Sequence, residues 1–226
     1  MISNGTGRGS ITADGCPVEL YLRFPHQGEA DLVHAVVPAG ARILDLGCGT
    51  GRIAHPLVEL GHPVTAVDSS AEMLAHVRGV ETVQSKIADL DLGRTFEAVL
   101  MASHLVNTVD DRERRALLAA AARHLPRDGV LIAEQYPPAW FDKVTNRSGG
   151  RIGEVRADLT DVRRDGDGDL VSATIHYWLD DEMWTQTFSA KRLDDDGLHS
   201  ALRDAGFSFD QWLTDDRSWF SARRAE

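Results

Sequence analysis

The chain has 226 residues, of which 42% are hydrophobic and 26% charged, and its formal net charge at pH 7 is −11. This length is enough for one α/β domain with a sizeable core, so we expect a single domain over residues 1–226. The acidic balance and the lack of a basic run argue against nucleic acid as a partner. No apolar stretch approaches the roughly twenty residues that span a bilayer, and no leader peptide is visible. We therefore expect a cytoplasmic protein without a membrane partner.

Neither a disulfide nor a metal site is indicated. Cys16 and Cys48 form no disulfide framework and lack the spacing of metal ligands, which is typical of a protein in a reducing compartment. The acidic run at residues 165–169 is similar to the start of a calcium loop, but no glutamate follows at the required spacing. We expect no bound metal and a solvated hairpin tip at this run.

The chain begins with residues 1–14, which are rich in Gly, Ser, Thr and Asn and are predicted to be mobile. A mixed segment at residues 17–25 follows, ahead of a helix at about residues 28–37. Residues 43–46 then form a short apolar run, which predicts a buried parallel strand. A glycine-rich turn at residues 47–51 leads from this strand into a helix at residues 53–60.

The strand, glycine turn and helix predict a ligand site, because backbone N–H groups and a helix N-terminus face the ligand in this arrangement. Dinucleotide enzymes favour the spacing G-x-G-x-x-G for a pyrophosphate, whereas this turn has G-x-G-x-G. Asp45 stands two residues before the first glycine. A carboxylate there repels a pyrophosphate and suits a positively charged ligand, so an NAD oxidoreductase is disfavoured.

A second strand, residues 63–67, ends at Asp68, which lies seventeen residues beyond Gly51. A carboxylate at this strand tip can accept both hydroxyls of a ribose, in NAD as in other nucleosides. Ser70 then caps a short helix. These features indicate a nucleoside without naming it.

The glycine turn with Asp45, together with the segment VDSSAEML at residues 67–74, resembles the first two motifs of the class I S-adenosylmethionine (SAM) methyltransferases. Their ligand carries an ammonium and a sulfonium. The resemblance covers about residues 18–226, with sharp motifs between Ile43 and Asn107. It implies a Rossmann-like, seven-stranded, mostly parallel sheet flanked by helices. It also implies SAM as cofactor and S-adenosylhomocysteine as product.

By this resemblance, Tyr21 and Arg23 contact the methionyl end of SAM, and Asp89 accepts from the adenine amino group. Tyr21 could instead cover one edge of the sheet, Met73 could be a core residue, and Asp91 is close enough to replace Asp89. The full set of implied cofactor residues is Tyr21, Arg23, Asp45, Gly47, Cys48, Gly49, Gly51, Asp68, Ser69, Met73, Ala88, Asp89, Leu90 and Ser103.

Catalytic candidates follow the fourth and fifth strands, at residues 96–102 and 130–136. The loop after the fourth strand lies beside the methyl group, because ligands of parallel sheets bind beyond the strands' carboxyl ends. An imidazole there can take up a proton near neutral pH, although a histidine at this position could also simply pack against the cofactor. Strand alternation places two further candidates at the same rim. The candidates are His104, Glu134, Tyr136, Tyr21 and Glu19.

From residue 151 onward, three segments alternate apolar and polar residues, at 152–162, 170–179 and 183–193. They predict a three-stranded antiparallel insertion, residues 151–193, after the fifth strand. The resemblance implies that this insertion is a wall for the acceptor and that residues 1–27 are a lid. The aromatic residues of the insertion could line this wall, or half of them could pack the insertion onto the sheet. The full set is Tyr177, Trp178, Trp184 and Phe188, together with His176. A helix at 194–205 and strands at 207–213 and 219–223 complete the seven-stranded sheet.

The chain as a whole is similar to actinobacterial small-molecule methyltransferases, and weakly to those that methylate indole C3 in pyrroloindoline alkaloid pathways. We therefore expect methyl transfer to a small aromatic or indole-type secondary metabolite, on carbon. The alternatives are O- or N-methylation of another metabolite and a SAM-binding module without turnover. A homodimer is also left open.

Overall fold

The elements of the chain sort into two units, and the computed structural model describes them over residues 4–165 and 167–225. One unit contains the chain up to Pro25 together with Pro138–Arg192, and the other contains His26–Pro137 together with Leu193–Glu226. We call them the insertion unit and the nucleotide unit. The organisation as one domain over residues 1–226 stays a prediction.

The elements, in chain order, are β1 (Gly5–Thr6), α1 (Val18–Tyr21), α2 (Glu29–Val36), β2 (Ile43–Leu46), α3 (Ala54–Glu59), β3 (Val64–Asp68), α4 (Ala71–Leu74), β4 (Glu81–Gln84), β5 (Ala98–Met101), α5 (Asp111–Arg123), β6 (Val130–Glu134), α6 (Pro138–Lys143), β7 (Gly149–Ile152), β8 (Val155–Asp165), β9 (Leu170–Leu179), β10 (Glu182–Lys191), α7 (Asp195–Asp204), β11 (Phe207–Trp212) and β12 (Trp219–Arg224). Short 3₁₀ turns follow β4 and β5, at Ile87–Asp89 and Leu105–Asn107.

The nucleotide unit is built on a seven-stranded sheet with the order β11-β12-β6-β5-β2-β3-β4. Strands β2 to β6 pair in parallel, whereas β12 runs antiparallel to β6 and to β11. The predicted seven-stranded, mostly parallel sheet is therefore confirmed. The parallel strands end at one edge of the sheet, which is where open α/β sheets bind their ligands.

Helices cover both faces of this sheet because its central strands are apolar on both sides. Within β2, Leu44 and Leu46 belong to the hydrophobic cluster that includes α5 and α7. Ile43, from the same strand, belongs to the cluster that includes α2 and α3. Successive strand residues point to opposite faces, so one short apolar strand contributes to two cores.

Side chains cap the first turns of three helices, and one of these caps was predicted. The Ser70 hydroxyl accepts from the Met73 N–H at 3.1 Å, as the sequence predicted for the start of α4. Asp110 caps α5 by accepting from the Arg112 N–H at 2.8 Å. Asp194 caps α7 in the same way through the Gly197 N–H at 2.7 Å. These carboxylates satisfy N–H groups that the first helical turn leaves without partners.

The insertion unit contains a five-stranded antiparallel sheet with the order β1-β10-β9-β8-β7. The three alternating segments predicted from the sequence form its three long strands, β8, β9 and β10. The edge strands β1 and β7 were not predicted. Both are short and rich in glycine, so they lack the alternating side chains by which a strand is recognised.

The prediction that residues 1–14 are mobile is wrong for Gly5 and Thr6, which pair with Gln186 and Thr185 of β10. The hydroxyls of Thr6 and Thr185 lie 2.6 Å apart, and the Asn4 carbonyl accepts from the Thr187 N–H at 2.7 Å. Main-chain pairing does not require apolar side chains, so the composition of this segment did not predict it. Residues 1–3 lie outside the described part of the chain.

Within residues 4–165 and 167–225, no group of three or more His, Cys, Asp or Glu side chains is arranged to hold a metal ion. The helices of these two ranges include none that is long and apolar enough to cross a membrane. In the acidic run at 165–169, Asp165 ends β8 and pairs with Leu170 of β9, whereas residue 166 lies outside the described part of the chain.

Candidate functional site

The glycine turn after β2 is fixed to the end of β3. The N–H groups of Gly47 and Cys48 both donate to the Val67 carbonyl, at 2.8 and 3.0 Å. Gly47, Gly49 and Gly51 have φ values of +77°, +56° and +87°, in the left-handed region that favours glycine. A Cβ added to Gly49 would meet nothing within 4 Å. The turn therefore presents bare backbone at Gly49, against which a ligand can lie.

Asp45 is buried at the end of β2, with 2% of its surface exposed. Its Oδ2 atom has no hydrogen-bond partner within the described ranges. The pKa of Asp45 is raised to about 7 by burial, against the positive charge of Arg52, which lowers it, and with the Asp68 carboxylate acting in the same direction as burial. Buried polar atoms are normally satisfied, so an unsatisfied carboxylate oxygen suits a ligand that brings a positive charge or an N–H donor.

Asp68 ends β3 beside this turn. Its Oδ2 accepts from the Gly49 N–H and its Oδ1 accepts from the Ser70 N–H, both at 2.9 Å. These two bonds fix the orientation of the carboxylate. The geometry fits the predicted ribose contact, which remains a prediction.

The predicted adenine contacts lie after β4. Asp89 is exposed, whereas the Asp91 carboxylate already accepts from the Gly93 N–H at 3.0 Å, so Asp89 is the better candidate of the two. The Leu90 N–H, predicted to donate to the adenine ring, donates to the Ile87 carbonyl at 3.2 Å. The Leu90 N–H therefore has to form a bifurcated hydrogen bond, or break its bond to Ile87, before it can donate to the adenine ring.

The other predicted cofactor positions of this unit fall around the same strand ends. Met73 is 3% exposed, so its side chain is largely a core residue and only its edge can touch an adenine. Ser69 and Ala88 are exposed. Cys48 is buried in the glycine turn, and burial raises the pKa of its thiol far above the usual value. The thiol therefore stays protonated and has no nucleophilic role.

Three of the five catalytic candidates are brought together at the ends of the adjacent strands β5 and β6. The Glu134 Oε2 atom accepts from the Ser103 backbone N–H at 2.6 Å, and its Oε1 lies 3.4 Å from the His104 Nδ1. The rings of His104 and Tyr136 are 3.8 Å apart between centroids. The 3.4 Å contact is long for a hydrogen bond, so Glu134 attracts the imidazole electrostatically without locking it.

The backbone of this loop is strained. Ser103 and His104 have φ values of +58° and +59°, which non-glycine residues rarely adopt. Such conformations persist only where surrounding contacts hold them, and they are frequent at active sites. One contact that holds the neighbouring strand end is the Asn107 side chain, which is buried and accepts from the Tyr136 N–H at 2.8 Å.

Arg114 of α5 also holds this loop, and the sequence analysis missed it. Its guanidinium is buried, donates to the Val106 carbonyl at 2.6 Å and to the Thr108 carbonyl, and pairs with Asp111. A signal for this role was present, because Arg114 stands three residues before Leu117 on the apolar face of α5. A charged side chain on such a face needs partners, and here these are loop carbonyls.

Tyr21, Glu19 and Arg23 belong to the insertion unit. The Tyr21 hydroxyl donates to Gln186 Oε1 at 3.3 Å, and burial raises the pKa of Tyr21 well above its usual value, with Cys16 acting in the same direction. Tyr21 therefore stays a neutral phenol, which makes it a poor base. Glu19 pairs with Arg8 at 3.3 Å, and Arg23 is exposed. The predicted roles of these residues remain predictions.

The predicted aromatic wall does not form as a single surface. Trp184 and Tyr177 are buried with Leu20 in the core of the insertion unit, and the Trp184 indole donates to the Arg8 carbonyl at 2.9 Å. Trp178 alternates to the opposite face, where it stacks with His176 at 5.6 Å. The four aromatic residues point to two faces of the sheet and therefore cannot line one pocket together.

Residues 43–129 match a known family, described as a methyltransferase domain. The chain is 35% identical over 143 residues to dTDP-3-amino-3,4,6-trideoxy-alpha-D-glucopyranose N,N-dimethyltransferase of Streptomyces venezuelae, covering 61% of this chain and 56% of the relative. It is 32% identical over 164 residues to dTDP-3-amino-3,6-dideoxy-alpha-D-glucopyranose N,N-dimethyltransferase of Streptomyces fradiae, covering 67% of this chain and 63% of the relative. The matches thus span less than two thirds of either relative's length.

Two solved structures extend the likeness over most of the chain. A sugar N-methyltransferase from a Streptoalloteichus species is 26% identical, with a TM-score of 0.73 and 98% of each chain covered. An amino pentose methyltransferase from Micromonospora echinaspora, solved with SAM bound, is 25% identical, with a TM-score of 0.66, covering 87% of this chain and 89% of that one. Residues 43–129 thus match a methyltransferase domain, and the fold of the chain is similar to that of these two methyltransferases.

Proposed function

We propose that this protein binds SAM and transfers its methyl group to an amine nitrogen of a small metabolite, with an amino sugar as the leading class of acceptor. The observation that carries the proposal is the contact of His104 with Glu134, at the ends of β5 and β6. Of these two strands, β5 lies next to β2, which ends at the unsatisfied Asp45 carboxylate and the glycine turn. A cofactor site and a proton acceptor therefore share one edge of the sheet.

Cofactor binding is supported by three features of that edge. The bare backbone at Gly49 gives room for the ligand, and the Asp45 carboxylate suits its ammonium group. Asp68, fixed by two backbone N–H groups, suits the ribose hydroxyls. When bound, SAM supplies a methyl group on a positively charged sulfur. The protein's contribution is to hold the acceptor in line with that methyl group, and orientation of this kind is worth roughly 7 to 11 kcal/mol.

The chemistry of His104 and Glu134 is compatible with an amine acceptor. A primary or secondary amine that attacks the methyl carbon becomes an ammonium, and one N–H proton must then leave it. The His104 imidazole, with the Glu134 carboxylate 3.4 Å from its Nδ1, can take that proton on the opposite ring nitrogen and release it to water. The two Streptomyces relatives are both N,N-dimethyltransferases of amino sugars, which supports the same acceptor class.

Methylation of an aromatic or indole carbon is the second candidate. It is supported by the position of the same histidine, since a ring carbon must also lose a proton after attack. It is weakened by the burial of Trp184 and Tyr177, which were predicted to line an aromatic pocket. Methyl transfer to an oxygen atom uses the same base. The identity of the methylated product distinguishes it from methylation of nitrogen and from methylation of carbon.

The test is incubation of the purified protein with methyl-labelled SAM and three acceptors: a dTDP-linked 3-amino sugar, a phenol and an indole. We expect label on nitrogen of the amino sugar, identified by mass spectrometry. Label on indole carbon or phenol oxygen with none on nitrogen contradicts the amine proposal. Binding of S-adenosylhomocysteine without transfer to any acceptor would indicate a SAM-binding module. Sedimentation of the same sample tests the proposed homodimer.

A further inference from the structure

The residue after the glycine turn, Arg52, is engaged by a carboxylate from a distant part of the chain. Its guanidinium pairs with Glu29 in the first turn of α2, and both side chains are largely buried. Glu29 also accepts from the Gln27 N–H, so its carboxylate is held on two sides. Hydrogen bonding to Arg52 and Gln27 lowers the pKa of Glu29 against the opposing effect of its burial. The pair is therefore charged on both sides.

Arg52 is also the cation whose field reaches Asp45. Its charge lowers the pKa of the Asp45 carboxyl, which burial raises. Even so, the Asp45 Oδ2 atom has no hydrogen-bond partner in residues 4–165 and 167–225, and the guanidinium turns to Glu29 instead. The carboxylates of Glu29 and Asp45 thus compete for the Arg52 guanidinium, which pairs with Glu29.

We propose that Glu29 is a positioning residue for the cofactor: by binding Arg52 it keeps that guanidinium away from Asp45, so that the Asp45 carboxylate remains open to the ammonium of the ligand. This inference rests on the proposed binding of SAM. The physical reason is that a buried carboxylate without a partner attracts any cation that can reach it. An arginine on a long side chain is such a cation, and it would compete with the ligand.

The matched variants are Glu29→Gln, Arg52→Met and the double variant. Glu29→Gln keeps the size of the side chain but frees the arginine, and we expect it to weaken binding of decarboxylated SAM, which carries the ammonium without the carboxylate, by about tenfold. Binding of 5′-methylthioadenosine, which lacks the ammonium, should change less than twofold. The double variant should bind decarboxylated SAM nearly as well as the wild type, because no arginine is left to occupy Asp45.

Glu97→Gln is the control. Glu97 accepts from the backbone N–H and the guanidinium of Arg42, at 2.7 Å each, at the start of β2. The Glu97→Gln variant removes the carboxylate partner of a different arginine, at the other end of the same strand. It should leave the affinities for decarboxylated SAM and 5′-methylthioadenosine unchanged. Thermal unfolding of every variant shows whether a loss of binding reflects a loss of folded protein.

Calorimetry separates the outcomes. Equal weakening of both probes in Glu29→Gln, or no recovery in the double variant, overturns the inference and makes the pair a fold-stabilising contact. If Glu29→Gln does not fold, the comparison of Arg52→Met with the double variant decides, since only a positioning role makes Glu29 dispensable once Arg52 is gone. Should the wild type bind neither S-adenosylhomocysteine nor decarboxylated SAM, the proposed function itself fails, and this result is distinct from the others.

Discussion

The Glu134 carboxylate holds the backbone of Ser103 and faces the ring of His104 at the same time, with one oxygen 2.6 Å from the Ser103 nitrogen and the other 3.4 Å from the His104 Nδ1. A single side chain thus supports a strained loop and places a carboxylate beside the imidazole carried by that loop. This double role makes Glu134 the most informative position for mutation.

Glu134→Gln should lower turnover by about tenfold to a hundredfold while leaving the affinity for S-adenosylhomocysteine within about twofold, as expected when a charge beside a general base is removed. The amide oxygen can still accept from the Ser103 N–H, so the loop is kept and only the negative charge beside His104 is lost. Steady-state kinetics and calorimetry on the same preparation measure the two effects. Equal losses of turnover and cofactor affinity would show that Glu134 acts on binding and not on the proton.

Asp68→Ala should weaken binding of S-adenosylhomocysteine by about 2–4 kcal/mol, since charge-assisted hydrogen bonds to the ribose are lost together with the two backbone N–H bonds that shape the turn. The control is Asp91→Ala, which also removes a carboxylate that accepts a backbone N–H, from Gly93. We expect the control to bind normally. Unchanged affinity in Asp68→Ala would place the ribose elsewhere.

The stability of the ligand-free protein should fall as the pH rises from about 4 to about 7, because Asp45 is protonated in the fold and ionised in the unfolded chain over this range. Burial raises its folded pKa to about 7 from an ordinary value of 3.8, so unfolding releases a proton between these limits. Asp45→Asn cannot ionise and should lack this contribution. The melting temperature of Asp45→Asn minus that of the wild type should therefore increase between pH 4 and pH 7 and remain constant above pH 7.

The Asp45→Asn variant should bind S-adenosylhomocysteine less tightly than the wild type does above pH 7. In this range the wild-type carboxylate is charged and pairs with the ammonium of the ligand. Melting curves at pH 4, 5, 6, 7 and 8, with and without ligand, measure both effects. A pH-independent difference between Asp45→Asn and the wild type would mean that Asp45 titrates normally.

Gly51→Ala should destabilise the fold more than Gly49→Ala. Both positions have positive φ, which costs a residue with a Cβ roughly 1–2 kcal/mol. At Gly51 the added Cβ would also lie 2.7 Å from the His55 ring, whereas at Gly49 it would meet nothing within 4 Å. Denaturant unfolding compares the two. Gly49→Ala should instead lose cofactor affinity, because its methyl group stands where the ligand approaches the backbone.

Arg114→Met should cost about 2–4 kcal/mol of stability, because the carbonyls of Val106 and Thr108 lose a buried, charged donor while the volume of the side chain is kept. It should also lower turnover by loosening the loop that carries His104. Arg112→Met, on the exposed side of the same helix, is the control and should change neither quantity by much. Wild-type turnover in Arg114→Met would show that the loop is held by other contacts.

The seven-stranded sheet, the glycine turn and the cap at Ser70 were predictable from the sequence, and so was the grouping of His104 with Glu134. Each depends on features that are local in the chain, such as apolar runs, glycine spacing, side-chain alternation and the rule that parallel strands end at one edge. The resemblance to SAM methyltransferases came from the same short segments, and residues 43–129 match a methyltransferase domain.

Pairings between residues that are distant in the sequence were decided only by the tertiary structure. The contact of Glu29 with Arg52, the strand formed by Gly5 and Thr6, and the lack of a partner at Asp45 depend on which segments meet in the fold. Alternation predicts that the aromatic residues of the insertion divide between two faces of the sheet, but only packing shows that Tyr177 and Trp184 are the buried ones. Local patterns constrain a residue's own backbone and face, whereas its partners depend on contacts across the whole chain, which no short stretch of sequence encodes.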